Sequence, residues 1–219
     1  MKLVGFGCSF TFGSELQSPD VPWDQHHTNR RYRESSCWLG LLAHALECEV
    51  DNLAEPACSN FAIGQQVADY FLTKRNPDEK VVVCVGWTNK RRMSWYGDSW
   101  THNGFADTKY GWQKSAKEWV TRSTDKSHNM FTRNAKLAVN SICAMHEVQI
   151  LQFNALGSHE TTQHPNYFLD GYSMDSMLKR AEQDDDRLDL FASGGHPNET
   201  GHQYFTKRLT QFAKEHILL

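Results

Sequence analysis

Along the chain, short continuous apolar runs alternate with longer stretches in which apolar residues return every third or fourth position. The runs are residues 2–7, KVVVCVGW at 80–87 and VQILQFN at 148–154. Such a run predicts a parallel strand covered on both faces. EVDNLA at 49–54 predicts a further short strand. The periodic stretches predict helices. SSCWLGLLAHALE sets Trp38, Leu41/Leu42 and Ala45/Leu46 on one face, with Ser35 or Ser36 as N-cap. SNFAIGQQVADYFLTKR is apolar at Phe61, Val67/Ala68 and Phe71, and MFTRNAKLAVNSICAMH predicts the next helix. The last helix begins at Asn198 as N-cap and is apolar at Phe205, Leu209, Phe212 and Ile217. Three stretches carry no such period: a polar loop to about residue 35, residues 88–128, and residues 155–195 apart from a helical stretch near 173–183.

Strands alternating with helices predict an α/β fold, a parallel sheet with helices on both faces. In such sheets, sites form at the carboxyl ends of the strands. Ser9 follows the first strand, Asn52-Leu53-Ala54 the second and Gly86-Trp87-Thr88-Asn89 the third. All three are expected on one rim.

Composition narrows the function. At 219 residues the chain reads as one domain able to bury about 70% of the surface its unfolded form exposes. A net charge of −3 gives no electrostatic reason to bind nucleic acid or an anionic membrane. No apolar run approaches the roughly 20 residues of a membrane span, and the opening residues read as a strand and turn, not a signal peptide. The six cysteines form no CxxC pair, and several sit in apolar segments, which suits a reducing, cytoplasmic setting. His26-His27 is an isolated pair in a loop and gives little reason to expect a metal; no metal or organic cofactor is expected.

The turn GFGCSFTFG raises a sharper possibility. Glycines flank Ser9 at the end of a strand, as a nucleophile's seat requires. Acyl transfer needs a hydroxyl, a base and donors aimed at the developing oxyanion. Ser9 offers the hydroxyl, and His196 in SGGHPNETGH would return a base to the same rim. The N–H groups of Ser9 and of the loop after the second strand, with the Asn89 side chain, would serve as donors.

These blocks resemble the SGNH hydrolases, also called GDSL esterases and lipases. The first block, usually Gly-Asp-Ser, stands here as GCSFTFG with Cys8 for the aspartate. The second is matched by NLAEPACSN, where the oxyanion glycine position falls at Ala57. The third, Gly-x-x-Asn, is met in full by Gly86-Trp87-Thr88-Asn89. The last, Asp-x-x-His, keeps His196 but has Ser193 at the aspartate position. The resemblance covers residues 5 to about 205, and variants with a similar GWT and NLA-x-P flavour occur in tailed-phage genomes. It implies a three-layer α/β/α sandwich with a flavodoxin-like parallel sheet, Ser9 and His196 as the catalytic pair, and an oxyanion hole of Ser9, Ala57 and Asn89. Ala57 keeps its N–H, so this donor survives if the turn does not need positive φ. Cys8 and Cys58 would be neighbours across the site, as a thiol pair or as two small packing residues.

Ser193 leaves the orientation of His196 open. The Ser193 hydroxyl or a backbone carbonyl could hold the ring. Asp189, or one of Asp184, Asp185 and Asp186, could swing in from the preceding loop. Otherwise catalysis has lapsed. Five of the seven tryptophans, 87, 95, 100, 112 and 119, fall within 33 residues beside the rim. Trp87, Trp95 and Trp100 are candidates for a substrate platform, against the alternative that a 40-residue insertion needs its own small core. The neighbouring Lys90-Arg91-Arg92 reads as a solvated edge. The expected activity is hydrolysis of small O-acyl groups from a glycan or other small-molecule ester. The alternative from another class is a lapsed scaffold that binds a glycan or a protein.

Overall fold

The computed structural model describes residues 1–18, 29–95, 101–103, 123–157 and 167–217. Its centre is a five-stranded parallel sheet in the order β2-β1-β3-β6-β7. The strands are β1 (Lys2–Gly7), β2 (Glu49–Asn52), β3 (Val81–Trp87), β6 (Gln149–Asn154) and β7 (Tyr167–Ser173). A separate antiparallel pair, β4 (Met93–Trp95) and β5 (Thr101–Asn103), falls in the stretch that has no sequence period. The helices are α1 (Ser9–Phe12), α2 (Arg30–Ser36), α3 (Trp38–Ala45), α4 (Asn60–Asp69, extended by a π-turn over Tyr70–Lys74), α5 (Asp125–Met145), α6 (Met174–Asp184) and α7 (Glu199–His216). Among the described residues, no helix is long and apolar enough to cross a membrane.

Neighbouring residues of β6 show why there are three layers. Side chains alternate between the two faces of a strand. Gln152 accordingly bonds Asn140 of α5 on one face, while on the other Phe153 packs edge-on against Trp38 of α3 and against Phe205 of α7. In β1, Phe6 meets Tyr70 beyond α4, whereas Gly5 lies under Leu39 of α3, where a Cβ would come within 2.2 Å of that side chain. Helices α3 and α7 thus cover one face, and α4 and α5 the other. All seven residues of β3 are buried, as its unbroken apolar run predicts. This is the α/β sandwich expected from the sequence.

Local chemistry moves several boundaries. Residues 30–36 are helical where the sequence suggests loop, and Cys37 occupies the N-cap position of α3 in place of Ser35 or Ser36. The buried face of α3 is Trp38, Leu39, Leu42 and Ala43, so Ala45 turns outward. Phe61 is exposed, because α4 packs through Ala62, Ile63 and Val67. Helix α5 starts at Asp125, capped reciprocally by Thr124 and Ser127. Asn198 caps α7 as expected, accepting from the Gly201 N–H at 2.9 Å. All six cysteines are free thiols.

Candidate active site

The strand order places the topological switch between β1 and β3, so the chain leaves these neighbouring strands in opposite directions and opens a crevice at their carboxyl ends. Gly7 and Gly86 are partners across this point. A Cβ on Gly7 would lie 2.3 Å from Thr11 Oγ1, and one on Gly86 2.4 Å from the same atom. Two glycines side by side therefore let α1 settle directly onto the sheet. Ser9 is the first residue of that helix and is 4% exposed. Its N–H, in the first helical position, has no acceptor within the helix. Gly13 closes the turn at φ 80°, returning its N–H to the Ser9 carbonyl.

The other two loops are tied to this turn. Leu53 and Glu55 donate their N–H groups to the carbonyls of Gly5 and Gly7, at 2.8 and 3.1 Å, so the chain after β2 runs alongside the end of β1. The Asn52 amide donates to the Thr11 carbonyl at 2.9 Å and its oxygen accepts from the Ala54 N–H. Ala57 then adopts φ 60°. The turn therefore does need the left-handed conformation that the glycine of this block would supply, and alanine holds it at a cost of about 1–2 kcal/mol. Asn60 laces this loop to the next. Its oxygen accepts the Thr88 N–H at 2.8 Å, and its amide reaches the Thr88 carbonyl and Thr132 Oγ1. Asn89 follows at once. Its oxygen accepts the Arg91 N–H at 2.9 Å, which fixes the amide and leaves Nδ2 without a partner among the described residues.

The largest surprise concerns His196. Its Nδ1 lies 2.7 Å from Oε2 of Glu15, only six residues beyond Ser9. The same carboxylate accepts the Gly194 N–H at 2.9 Å and the His196 N–H at 3.1 Å. Burial pushes this carboxyl up, but the bonds from the His196 ring and from the two backbone N–H groups outweigh it and hold Glu15 below the usual carboxylate range. Glu15 itself sits at φ 67°, strained for a residue with a Cβ. It is anchored by its neighbours. Leu16 is buried, its carbonyl accepts the Asn29 amide at 2.6 Å, and Asn29 Oδ1 accepts the Ser18 N–H at 3.0 Å. The His196 ring also leans on Phe10, next to Ser9, with centroids 5.7 Å apart.

Among the described residues, neither the Ser193 hydroxyl nor the Asp189 carboxylate bonds the His196 ring. Ser193 is exposed, and so is Asp189, whose carbonyl accepts from Asn198. Glu15 occupies the place reserved for them, and no local motif announces it, because its partner is 181 residues away. Asp185 faces Arg187 and Asp184 faces Arg180. Trp87 is not a platform: it is fully buried and donates its indole N–H to Gln152 at 3.0 Å. Trp95 lies in β4, where only the backbone is described; Trp100, Trp112, Trp119 and the His26-His27 pair lie outside the described residues. Cys8 and Cys58 are fully buried, and burial, followed by nearby Glu55 and Cys8, pushes the Cys58 thiol far up. No hydrogen bond joins Ser9 to His196 among the described residues.

Behind the site, the first turn of α7 places His202, fully buried, against α3. Its Nδ1 accepts the Trp38 N–H at 3.1 Å, one of the donors that a helix start leaves unpaired. Burial, reinforced by His196, lowers its pKa to about 3.

Comparisons with known proteins bear on the fold. The model of a family of unknown function (DUF6071) matches residues 20–192, a span that includes Ala57 and Asn89 but not Ser9, Glu15 or His196. A carbohydrate esterase described as having an active site with divergent catalytic and non-catalytic binding functions superposes with a TM-score of 0.55 at 13% identity, covering 98% of this chain and 64% of that one. An acetyl xylan esterase from the rumen bacterium Butyrivibrio proteoclasticus gives 0.50 at 14% identity, covering 98% and 63%. A member of the lipolytic G-D-S-L family from Veillonella parvula gives 0.41 at 15% identity, covering 99% and 98%. The chain thus spans somewhat under two thirds of the length of the first two. A search of curated protein sequences gave no match. The shared property is the fold, a parallel sheet flanked by helices as in SGNH hydrolases.

Proposed function

The chain belongs to a family of unknown function, DUF6071, and we propose that it is a serine ester hydrolase of the SGNH type. The observation that carries this reading is the 2.7 Å contact between Glu15 and His196 Nδ1. A histidine with an ionised acceptor on Nδ1 carries its proton there and presents a basic Nε2. In the proposed reaction Ser9 Oγ attacks the ester carbonyl while His196 Nε2 takes the hydroxyl proton. The imidazolium is stabilised by Glu15, which stays a carboxylate throughout. The N–H groups of Ser9 and Ala57 and the Asn89 amide receive the oxyanion. Collapse expels the alcohol, protonated by His196. Water then attacks the acyl-Ser9 ester by the same route and releases the acid.

Ala57 sits at positive φ, against the condition set for a position without glycine, but it still carries the backbone N–H that the proposed oxyanion hole uses there. The substrate class proposed is a small O-acyl ester of a carbohydrate. It rests on the resemblance of the sequence blocks and on the carbohydrate esterases among the proteins of similar fold. A scaffold that binds without turnover is the second reading, favoured by the lack of a direct Ser9–His196 bond among the described residues.

Hydrolysis of p-nitrophenyl acetate and butyrate by wild type, Ser9→Ala and His196→Ala, with fluorophosphonate labelling, separates the two. Turnover and labelling that vanish with Ser9→Ala are expected. Hydrolysis that survives Ser9→Ala unchanged would overturn the assignment.

A further inference from the structure

Among the described residues, the Asn89 amide is hydrogen-bonded at one end only. Its main chain is fixed, because Asn60 grips the preceding Thr88 by its N–H and its carbonyl, at 2.8 and 3.0 Å. The Arg91 N–H then fixes Oδ1 at 2.9 Å. The torsion that swings an asparagine amide is soft, so the Nδ2 end turns readily about that single bond. What lies beside it decides where it points. The loop after β6 comes to this place. Its Ala155 and Leu156 N–H groups both donate to the Trp87 carbonyl, at 2.6 and 3.3 Å. The Ala155 carbonyl in turn accepts the Asp175 N–H at the start of α6, at 3.2 Å. The loop is thus tied to the end of β3 two residues before Asn89, and Gly157 is the residue it brings to the Asn89 side chain.

Gly157 sits at φ 71°, a conformation that glycine adopts readily and other residues rarely do. A Cβ on it would lie 3.3 Å from Asn89 Nδ2, 3.7 Å from Cγ and 3.8 Å from Cα, and no other atoms beyond its chain neighbours come closer. The approach to Nδ2 is tighter than ordinary van der Waals contact, whereas the other two are ordinary. A side chain at this position would therefore press on the nitrogen end and turn the amide by a few tenths of an ångström. An oxyanion donor works only when it is aimed, so such a shift is felt in the rate. We infer that Gly157 is a positioning residue of the oxyanion hole: its bare backbone leaves the Asn89 amide in the rotation that the Arg91 N–H sets, with Nδ2 clear to donate. This rests on the esterase reading of the site, and it adds the loop after β6 to those that shape the rim.

The test is hydrolysis of p-nitrophenyl acetate, with active sites counted by fluorophosphonate titration so that misfolded protein does not enter kcat. Gly157→Ala is expected to lower kcat about tenfold with KM within about twofold of wild type. Gly157→Asn carries the same Cβ, but asparagine accepts a left-handed backbone more easily. It is expected to melt at a higher temperature than Gly157→Ala and to lose as much kcat. In an Asn89→Ala background no amide remains to be turned, and there Gly157→Ala is expected to cost no more than about a further twofold in kcat. Full kcat in Gly157→Ala, kcat restored in Gly157→Asn, or an equal loss in both backgrounds would overturn the inference and leave the esterase reading standing. A wild type without Ser9-dependent turnover would overturn the esterase reading, and the inference with it.

Discussion

Lowering the pH should loosen the protein well before its carboxylates titrate, and His202 is the reason. The residue is fully buried, and its Nδ1 is occupied by the Trp38 N–H. A second proton would have to be held without water and close to His196, so its pKa falls from the ordinary 6.5 to about 3. In the unfolded chain the ring binds a proton from about pH 6.5 downward. Between these values the unfolded state holds more protons, so stability rises with pH and is lost as pH falls through this window. At pH 5 the unfolded ring is about 97% protonated and the folded ring almost wholly neutral. The loss relative to pH 8 is then about 2 kcal/mol, a sizeable share of the roughly 5–15 kcal/mol typical of a domain. Glu15, whose folded pKa is depressed, contributes stability that is fully present above its unfolded value of 4.5 and is lost only below it, so its contribution barely changes between pH 8 and pH 5. The assay is urea denaturation of wild type and His202→Asn at pH 8, 7, 6 and 5. Asparagine keeps an acceptor for the Trp38 N–H and removes the titration. The variant loses stability at pH 8 through lost packing, but the gap between the two proteins should narrow by about 2 kcal/mol at pH 5. A gap that does not change with pH would refute the reasoning.

Three further outcomes follow from the site. Glu15→Gln should lower kcat about 10²–10⁴-fold with little change in KM, by analogy with loss of the acid in serine protease triads, and adding Ser193→Asp should restore part of it by returning an acid to the family's usual place. Steady-state kinetics check this, and a Glu15→Gln enzyme of full kcat would remove Glu15 from the mechanism. Ala57→Gly should raise stability by about 0.5–1 kcal/mol, since glycine relieves the left-handed strain at a smaller entropic cost; a lower denaturant midpoint at unchanged m would contradict the strained turn. Gly86→Ala should cost about 1–3 kcal/mol, because its Cβ meets Thr11 Oγ1 at 2.4 Å. A double-mutant cycle with Thr11→Ala should recover most of that loss, and additive effects would show that the close contact is not its source.

The anatomy of the site explains what each kind of reading could reach. The continuous apolar runs at 2–7, 80–87 and 148–154 and the Asn198 cap are local signals, so the main strands and the last helix were legible, and with them the rim on which Ser9, Ala57 and Asn89 fall. Strand β7 was hidden in a stretch with no clean period, because an edge strand needs only one neighbour to order it. Trp87 looked available from its polar company, yet Gln152 of the adjacent strand, two residues from its direct partner Asn154, satisfies the indole and allows it to sink into the core. Asn60 carried no local mark, since its role is to bind the backbone of a loop 28 residues away.

Glu15 marks the boundary most clearly. A side chain's pattern along the chain encodes which face it buries, not which distant group it will meet. Gly7, Gly86 and Gly13 shape the turn that carries Glu15 past Ser9, whereas His196 arrives from the start of α7 once α3 and α7 have packed on the same face of the sheet. The sequence by itself determined the turn that holds Ser9, the sheet and the place of His196 before the last helix. Only the tertiary structure decided which carboxylate holds that histidine, because their contact is made by packing across 181 residues and by no periodicity within them.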